Sequence, residues 1–145
     1  MNDAYNHINR VTLREFTPDD APILKERAIN PVSKDWDLWA QHFHLLGPAY
    51  VGYYRGELLG AIGICLKDPN KGTVWAVFTP AVQRYPKAIL YCIKDMMRIM
   101  MKSCKLSHLR AYSQVGYAAS QRLLEHVGFR QIRRFNDFYY YRYEV

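Results

Sequence analysis

The chain has 145 residues, half of them hydrophobic and 14% aromatic, with 20 lysines and arginines against 13 acids for a formal charge of +7. That size suits one domain with a closed core, and so much aromatic surface argues against disorder and for packed β structure. No run approaches the roughly 18 apolar residues of a membrane span, and the N-terminal MNDAYNHINR has no apolar leader segment. Cys65, Cys92 and Cys104 show neither an even count nor CxxC spacing, which argues against a disulfide framework or zinc site and makes reduced, buried thiols the default. The expectation is a cytoplasmic protein without metal. Its basic balance suits a phosphorylated cofactor, nucleic acid or an anionic surface, or serves solubility alone.

Residues 1–7 are polar and read as a flexible arm ahead of a single domain over 8–145. Val11 to Phe16 alternates Val11 and Leu13 with Thr12 and Arg14, the pattern of a strand. Thr17-Pro18-Asp19-Asp20 then opens a helix: Thr17 can cap it, Pro18 suits the first turn, and the acids favour the dipole. That helix should run to Ile29, ahead of Asn30-Pro31. Trp36, Trp39, Phe43 and Leu46 fall three, four and three apart, one face of a second helix over Asp35–Leu46. Gly47-Pro48 closes it. Strands follow over Ala49–Tyr54 and Glu57–Leu66, joined by a tight Arg55-Gly56 turn.

After the turn cluster Asp68-Pro69-Asn70-Lys71-Gly72 comes a strand from Thr73 to Phe78. Residues 86–104 form the clearest helix. Pro86 starts it, and Ile89, Ile93, Met97, Met100 and Cys104 trace one face, with the methionines filling a core. Ser107–Tyr112 reads as a strand. Tyr117–His126 reads as a short helix closed by Gly128. Arg130–Phe135 and Phe138–Tyr143 make a last hairpin turning at Asn136-Asp137. The order β-α-α-β-β-β-α-β-α-β-β predicts a mixed α/β (α+β) domain around one sheet.

Three stretches, together with this order, resemble the GNAT family of acyl-CoA-dependent N-acyltransferases. The hairpin from Tyr53 to Ile62, with Gly56-Glu57 in its turn and Leu58-Leu59-Gly60 after it, is similar to the family's second and third strands. The run Phe78-Thr79-Pro80-Ala81-Val82-Gln83-Arg84-Tyr85-Pro86-Lys87-Ala88 resembles a strand ending in Val-x-Pro, followed by x-x-Gln/Arg-x-x-Gly-x-Gly/Ala at a helix start. Pro80, Gln83 and Ala88 fall in register, and Pro86 stands where the family has a glycine. The segment from Tyr117 to Phe129 resembles the family's Asn-x-x-Ala/Ser-x-x-Leu-Tyr-x-x-x-Gly-Phe, matching at Ser120, Leu123, Gly128 and Phe129. The resemblance covers most of the chain from Val11 onward.

The resemblance implies a central, mostly antiparallel sheet of about six or seven strands flanked by about four helices. It also implies acetyl-CoA as cofactor, acetyl transfer to an amine of a small molecule or protein, and a monomer or homodimer. The implied cofactor residues are Val77, Phe78, Thr79, Val82, Gln83, Arg84, Tyr85, Lys87, Ala88 and Ser120. A pyrophosphate would sit on helix N-terminal amides, helped by the charge of Arg84 and Lys87. Pro86 removes one amide donor and adds ring bulk, which should weaken such binding by about 1–3 kcal/mol without abolishing it. On the plainer alternative, Pro86 is only a good first-turn residue and the loop binds nothing.

Tyr117 stands where the family has Asn, facing the thioester, and is the first catalytic candidate, with packing as its alternative role. Ser113, Tyr112 and His108 are further acid–base candidates. Many family members carry Glu on the strand before the loop, yet Thr73–Phe78 has no carboxylate. Leu124 replaces the Tyr that can protonate the leaving thiolate. His42 and His44 fall near where the family's acceptor site opens, though surface roles suit them better, and Trp36 and Trp39 would line an acceptor pocket or pack, with packing favoured for at least one. The departures motivate a second reading, a phage-encoded protein of this fold that has lost efficient catalysis and binds and modulates a host protein. A third reading ranks below both. Arg130, Arg133 and Arg134 beside the aromatic tail Phe138–Tyr143 would suit single-stranded nucleic acid, but no nucleic-acid motif is present.

Overall fold

A computed structural model describes residues 11–29, 36–68, 71–114 and 118–144. The expected arm over residues 1–7 and the candidate Tyr117 lie outside the described residues. In chain order the elements are β1 (Val11–Glu15), a 3-10 turn (Pro18–Asp20), α1 (Ala21–Arg27), α2 (Trp36–Ala40), α3 (Phe43–Leu46), β2 (Ala49–Tyr54), β3 (Glu57–Asp68) and β4 (Lys71–Phe78). Then come α4 (Ala81–Arg84), α5 (Pro86–Cys104), β5 (His108–Gln114), α6 (Ala118–Val127), β6 (Arg130–Phe135) and β7 (Phe138–Glu144).

The seven strands form one sheet in the order β1-β2-β3-β4-β5-β7-β6. Every neighbouring pair is antiparallel except β4 and β5. This is the mixed, mostly antiparallel sheet that the sequence implied. The β2–β3 turn needs left-handed backbone, and Arg55 (φ 51°) and Gly56 (φ 81°) supply it. Gly60 lies where β3 presses on β4: its φ is +147°, and a Cβ there would stand 2.1 Å from the Val77 carbonyl oxygen.

Two cores sandwich the sheet. On one face, Ile62 and Ile64 of β3 meet Leu109 and Ala111 of β5 and Tyr141 of β7 beneath α5, whose Ile93, Met97 and Met100 are buried as the periodicity predicts. On the other face, Phe16, Leu24 and Trp36 pack on Val51, Ala61 and Val77. Among the described residues, no helix is long and apolar enough to cross a membrane.

Three elements depart from expectation. The first helix opens with a 3-10 turn and ends at Arg27, not Ile29. Its start is fixed by the Asp20 carboxylate, which accepts the Thr17 backbone N–H at 2.8 Å. The second helix divides into α2 and α3, with its expected first residue, Asp35, outside the described residues. Trp36 is anchored, donating its indole N–H to the Ala21 carbonyl at 3.0 Å. The break turns the chain onto β3 at Gly47, where a Cβ would lie 1.9 Å from the Ile64 carbonyl oxygen. Finally, the stretch between Pro80 and Pro86 contains a helical turn of its own, α4, that the sequence reading did not assign.

Candidate functional site

β4 and β5 pair only at Gly72–Leu109 and Thr73–Arg110, although the strands run on to Phe78 and Gln114. Beyond those pairs they part. Alternate backbone groups of β4 then face the opening in place of a ladder partner. A groove of about 660 Å³ runs from this opening between the start of α5 and α6. Its walls are mostly apolar: Ile29, Phe78, Val82, Ile89 and Leu90 on one side, Ala118, Ala119 and Leu123 on the other. Among the described residues, the polar side chains on it are Gln83, Lys87, Ser120 and His126.

At the groove's edge the chain enters α5. Tyr85 is its N-cap, Pro86 its first residue, and the Ile89 N–H makes the first intrahelical bond, 3.0 Å to the Tyr85 carbonyl. The amides of Lys87 and Ala88 precede that bond and have no carbonyl partner within the helix. Lys87 is exposed on this turn and Pro86 itself lines the groove. The chain therefore offers first-turn amides, one lysine and one carboxamide to an anion here, with Pro86 removing one donor.

Of the ten residues implied for the cofactor, Phe78, Val82, Gln83, Lys87 and Ser120 line the groove. Val77 and Ala88 do not; they are buried in the two cores. Thr79 is buried too, its hydroxyl donating to the Leu58 carbonyl and, at 3.3 Å, to the Leu59 carbonyl. Arg84 and Tyr85 turn away toward the β2–β3 hairpin. The Arg84 guanidinium donates to one Glu57 oxygen, and the Tyr85 hydroxyl donates to the other at 3.1 Å. The Tyr85 ring lies 4.5 Å from that of Tyr54. Arg84 holds the Glu57 carboxyl below its ordinary range. Arg84 thus ties the loop to the hairpin.

Ser113 of β5 is buried and donates its hydroxyl to Ser120 at 3.3 Å, so a hydroxyl pair reaches the groove wall. Tyr112 is exposed with its ring 5.5 Å from Tyr140, and His108 sits at the far end of β5 beside Ser107. His42 stands at the N-cap position of α3, makes no side-chain capping bond and is exposed. Leu124 packs against the core under α5. Burial, with Asp95 nearby, pushes the Cys92 thiol up to about 11, so it stays protonated at neutral pH. Among the described residues, no cluster of His, Cys, Asp and Glu could hold a metal.

Ile29 and His126 are lining residues that the sequence reading missed. His126 follows Leu123 at helical spacing, a usable signal. Ile29 has none: it arrives from a third of the chain away, its N–H donating to the Phe78 carbonyl at 2.8 Å.

The seven-stranded sheet, with β4 and β5 parting beyond their two register pairs, is a fold shared with solved acetyltransferases. Solved structures that share it include an acetyltransferase from Streptococcus agalactiae, with TM-score 0.72 and 14% identity over 94% of this chain and 99% of that one. A chimera of the spermidine N-acetyltransferase SpeG from Vibrio cholerae matches with TM-score 0.72 and 14% identity, over 93% and 95% of the two chains. The N-acetyltransferase PseH of Campylobacter jejuni, in complex with acetyl coenzyme A, matches with TM-score 0.66 and 13% identity, over 92% and 98%. At these identities the likeness is one of fold. No protein-family model and no curated protein sequence matches the chain.

Proposed function

We propose that the chain is an acyl-CoA-dependent N-acyltransferase that holds acetyl-CoA in the groove between α5 and α6 and acetylates an amine. The observation that carries this reading is the parting of β4 from β5, which opens an apolar slot ending at amides and a lysine on the first turn of α5. When bound, acetyl-CoA supplies an activated acetyl group as a thioester. Lys87, Gln83 and the amides of Lys87 and Ala88 would hold its phosphates. Val82, Leu90 and Leu123 would exclude water from its pantetheine arm. The Ser113–Ser120 hydroxyl pair, with Tyr117, would relay the proton lost by the attacking amine toward the departing thiolate. The binding of acetyl-CoA by PseH and the spermidine substrate in SpeG's name support this reading.

The test has two stages. Acetyl-CoA should raise the melting temperature, and Lys87→Ala should cut that shift more than Arg84→Ala, because Arg84 is engaged by Glu57. Acetylated product should then form from a pool of small amines and a lysine peptide. No melting shift at millimolar acetyl-CoA would end the reading.

A second reading, binding to a host protein without turnover, is favoured by one observation: among the described residues, neither β4 nor the groove wall presents a carboxylate. It predicts the acetyl-CoA shift with no product.

A further inference from the structure

We propose that the face of β5, β7 and β6 turned away from α5 and α6 binds single-stranded nucleic acid. Register fixes its membership. Arg110 of β5, Arg142 of β7 and Arg130 of β6 stand opposite one another, so their side chains share a face. The next row on that face is Tyr112, Tyr140 and Arg133, and Phe138 follows beside Gln114. Thr73 pairs with Arg110, which makes it the face on which α1 and α2 cover β2 to β4. The described residues of that helical layer pack on β2, β3 and β4. Past it, Arg130 and Arg133 are exposed, as are Tyr112 at 44% and Phe138 at 42%.

Adjacent strands lie about 4.8 Å apart, so three arginines in one row gather positive charge within about 10 Å. Glu144 stands 3.0 Å from Arg142 at the end of the row. Such a row suits an anion. The aromatic rings decide which anion. They alternate with the arginines at strand spacing, which offers stacking surfaces beside phosphate-binding groups. An acidic protein segment would use the charges and leave the rings idle. A second copy of the chain would set arginines against arginines across a two-fold axis. The arginine set also differs from the one sequence proximity suggests. Arg134 falls opposite Tyr139 on the other face, while Arg110 and Arg142 join from other strands.

The experiment is fluorescence anisotropy of the full chain with a fluorescein-labelled mixed-sequence oligonucleotide of about 20 nucleotides, enough to span one site, across a salt series. Binding in the range of about 10⁻⁶–10⁻⁴ M is expected, with log K falling linearly in log salt. Arg130→Gln should reduce that slope by about 0.7. Phe138→Leu should weaken binding about tenfold by loss of one stack. Absence of binding at low salt overturns the proposal. So does equal binding to duplex DNA or polyglutamate with no effect of Phe138→Leu, which would mark a plain charged surface for acidic partners. Dimerisation that Arg130→Gln strengthens would assign the face to a second copy and overturn it too. The acetyl-CoA melting shift, read on the same variants, should be unchanged, so this proposal and the transferase reading fail separately.

Discussion

Asp20 is buried yet charged, because each of its oxygens meets a donor from Arg14 and one also takes the Thr17 amide. The hydrogen bonds from Arg14, opposed by burial, hold its carboxyl below the ordinary 3.8. A depressed carboxylate adds stability that is complete above the unfolded value and lost as pH falls through the folded one. The urea midpoint of unfolding should therefore fall as pH drops below 3.8, and Asp20→Asn should flatten that decline while costing about 1–3 kcal/mol at neutral pH. Pro86 gives a second single-residue test. Pro86→Gly restores an amide donor on the groove, so acetyl-CoA should bind several-fold tighter by calorimetry, while the freer backbone costs about 1 kcal/mol of stability. The position of Pro86 was readable because an N-terminal proline carries a local signal. The roles of Arg84 and Tyr85 were not, because Glu57, which holds both, lies 27 and 28 residues earlier. Charge in a sequence says nothing about which partner reaches it first.

Strands were the legible elements. β2, β3, β6 and β7 alternate or carry turn residues at their ends, and such signals are local. The division of α2 from α3 was not legible, since Trp36 and Leu46 keep helical spacing across a break made by distant contacts with Ala21 and Ile64. Trp36→Phe should lose about 1 kcal/mol in chemical denaturation, the net worth of the bond to the Ala21 carbonyl. Gly60 was visible as part of a motif, but its reason is only spatial. Gly60→Ala should cost upwards of 2 kcal/mol, because a methyl 2.1 Å from a backbone oxygen forces β3 from β4. It should also displace Phe78, its register partner on the groove, so the acetyl-CoA melting shift should fall in that variant.

At the scale of the whole molecule, the fold class was legible because the element order is a global pattern that survives errors at single boundaries. The groove was legible only in outline: the sequence marked both its flanks but not the parting of β4 from β5, which no residue type announces. Beneath that parting, α5 spans the molecule, touching β3 on one side and, with α6, the β5–β7 half on the other. Met100 is 1% exposed there. Met100→Ala should cost about 2–5 kcal/mol by leaving a cavity, more than a methionine on a covering helix of one half alone would.

Two register pairs are a narrow seam between four strands and three. The sheet is therefore two cooperative units riveted by one helix, and amide deuteration should resolve them. Backbone protons of β5 and β7 should exchange through an opening that leaves β2 and β3 protected. A ligand lodged in the cleft would close that opening, so its binding should slow exchange in β5 far more than in β2.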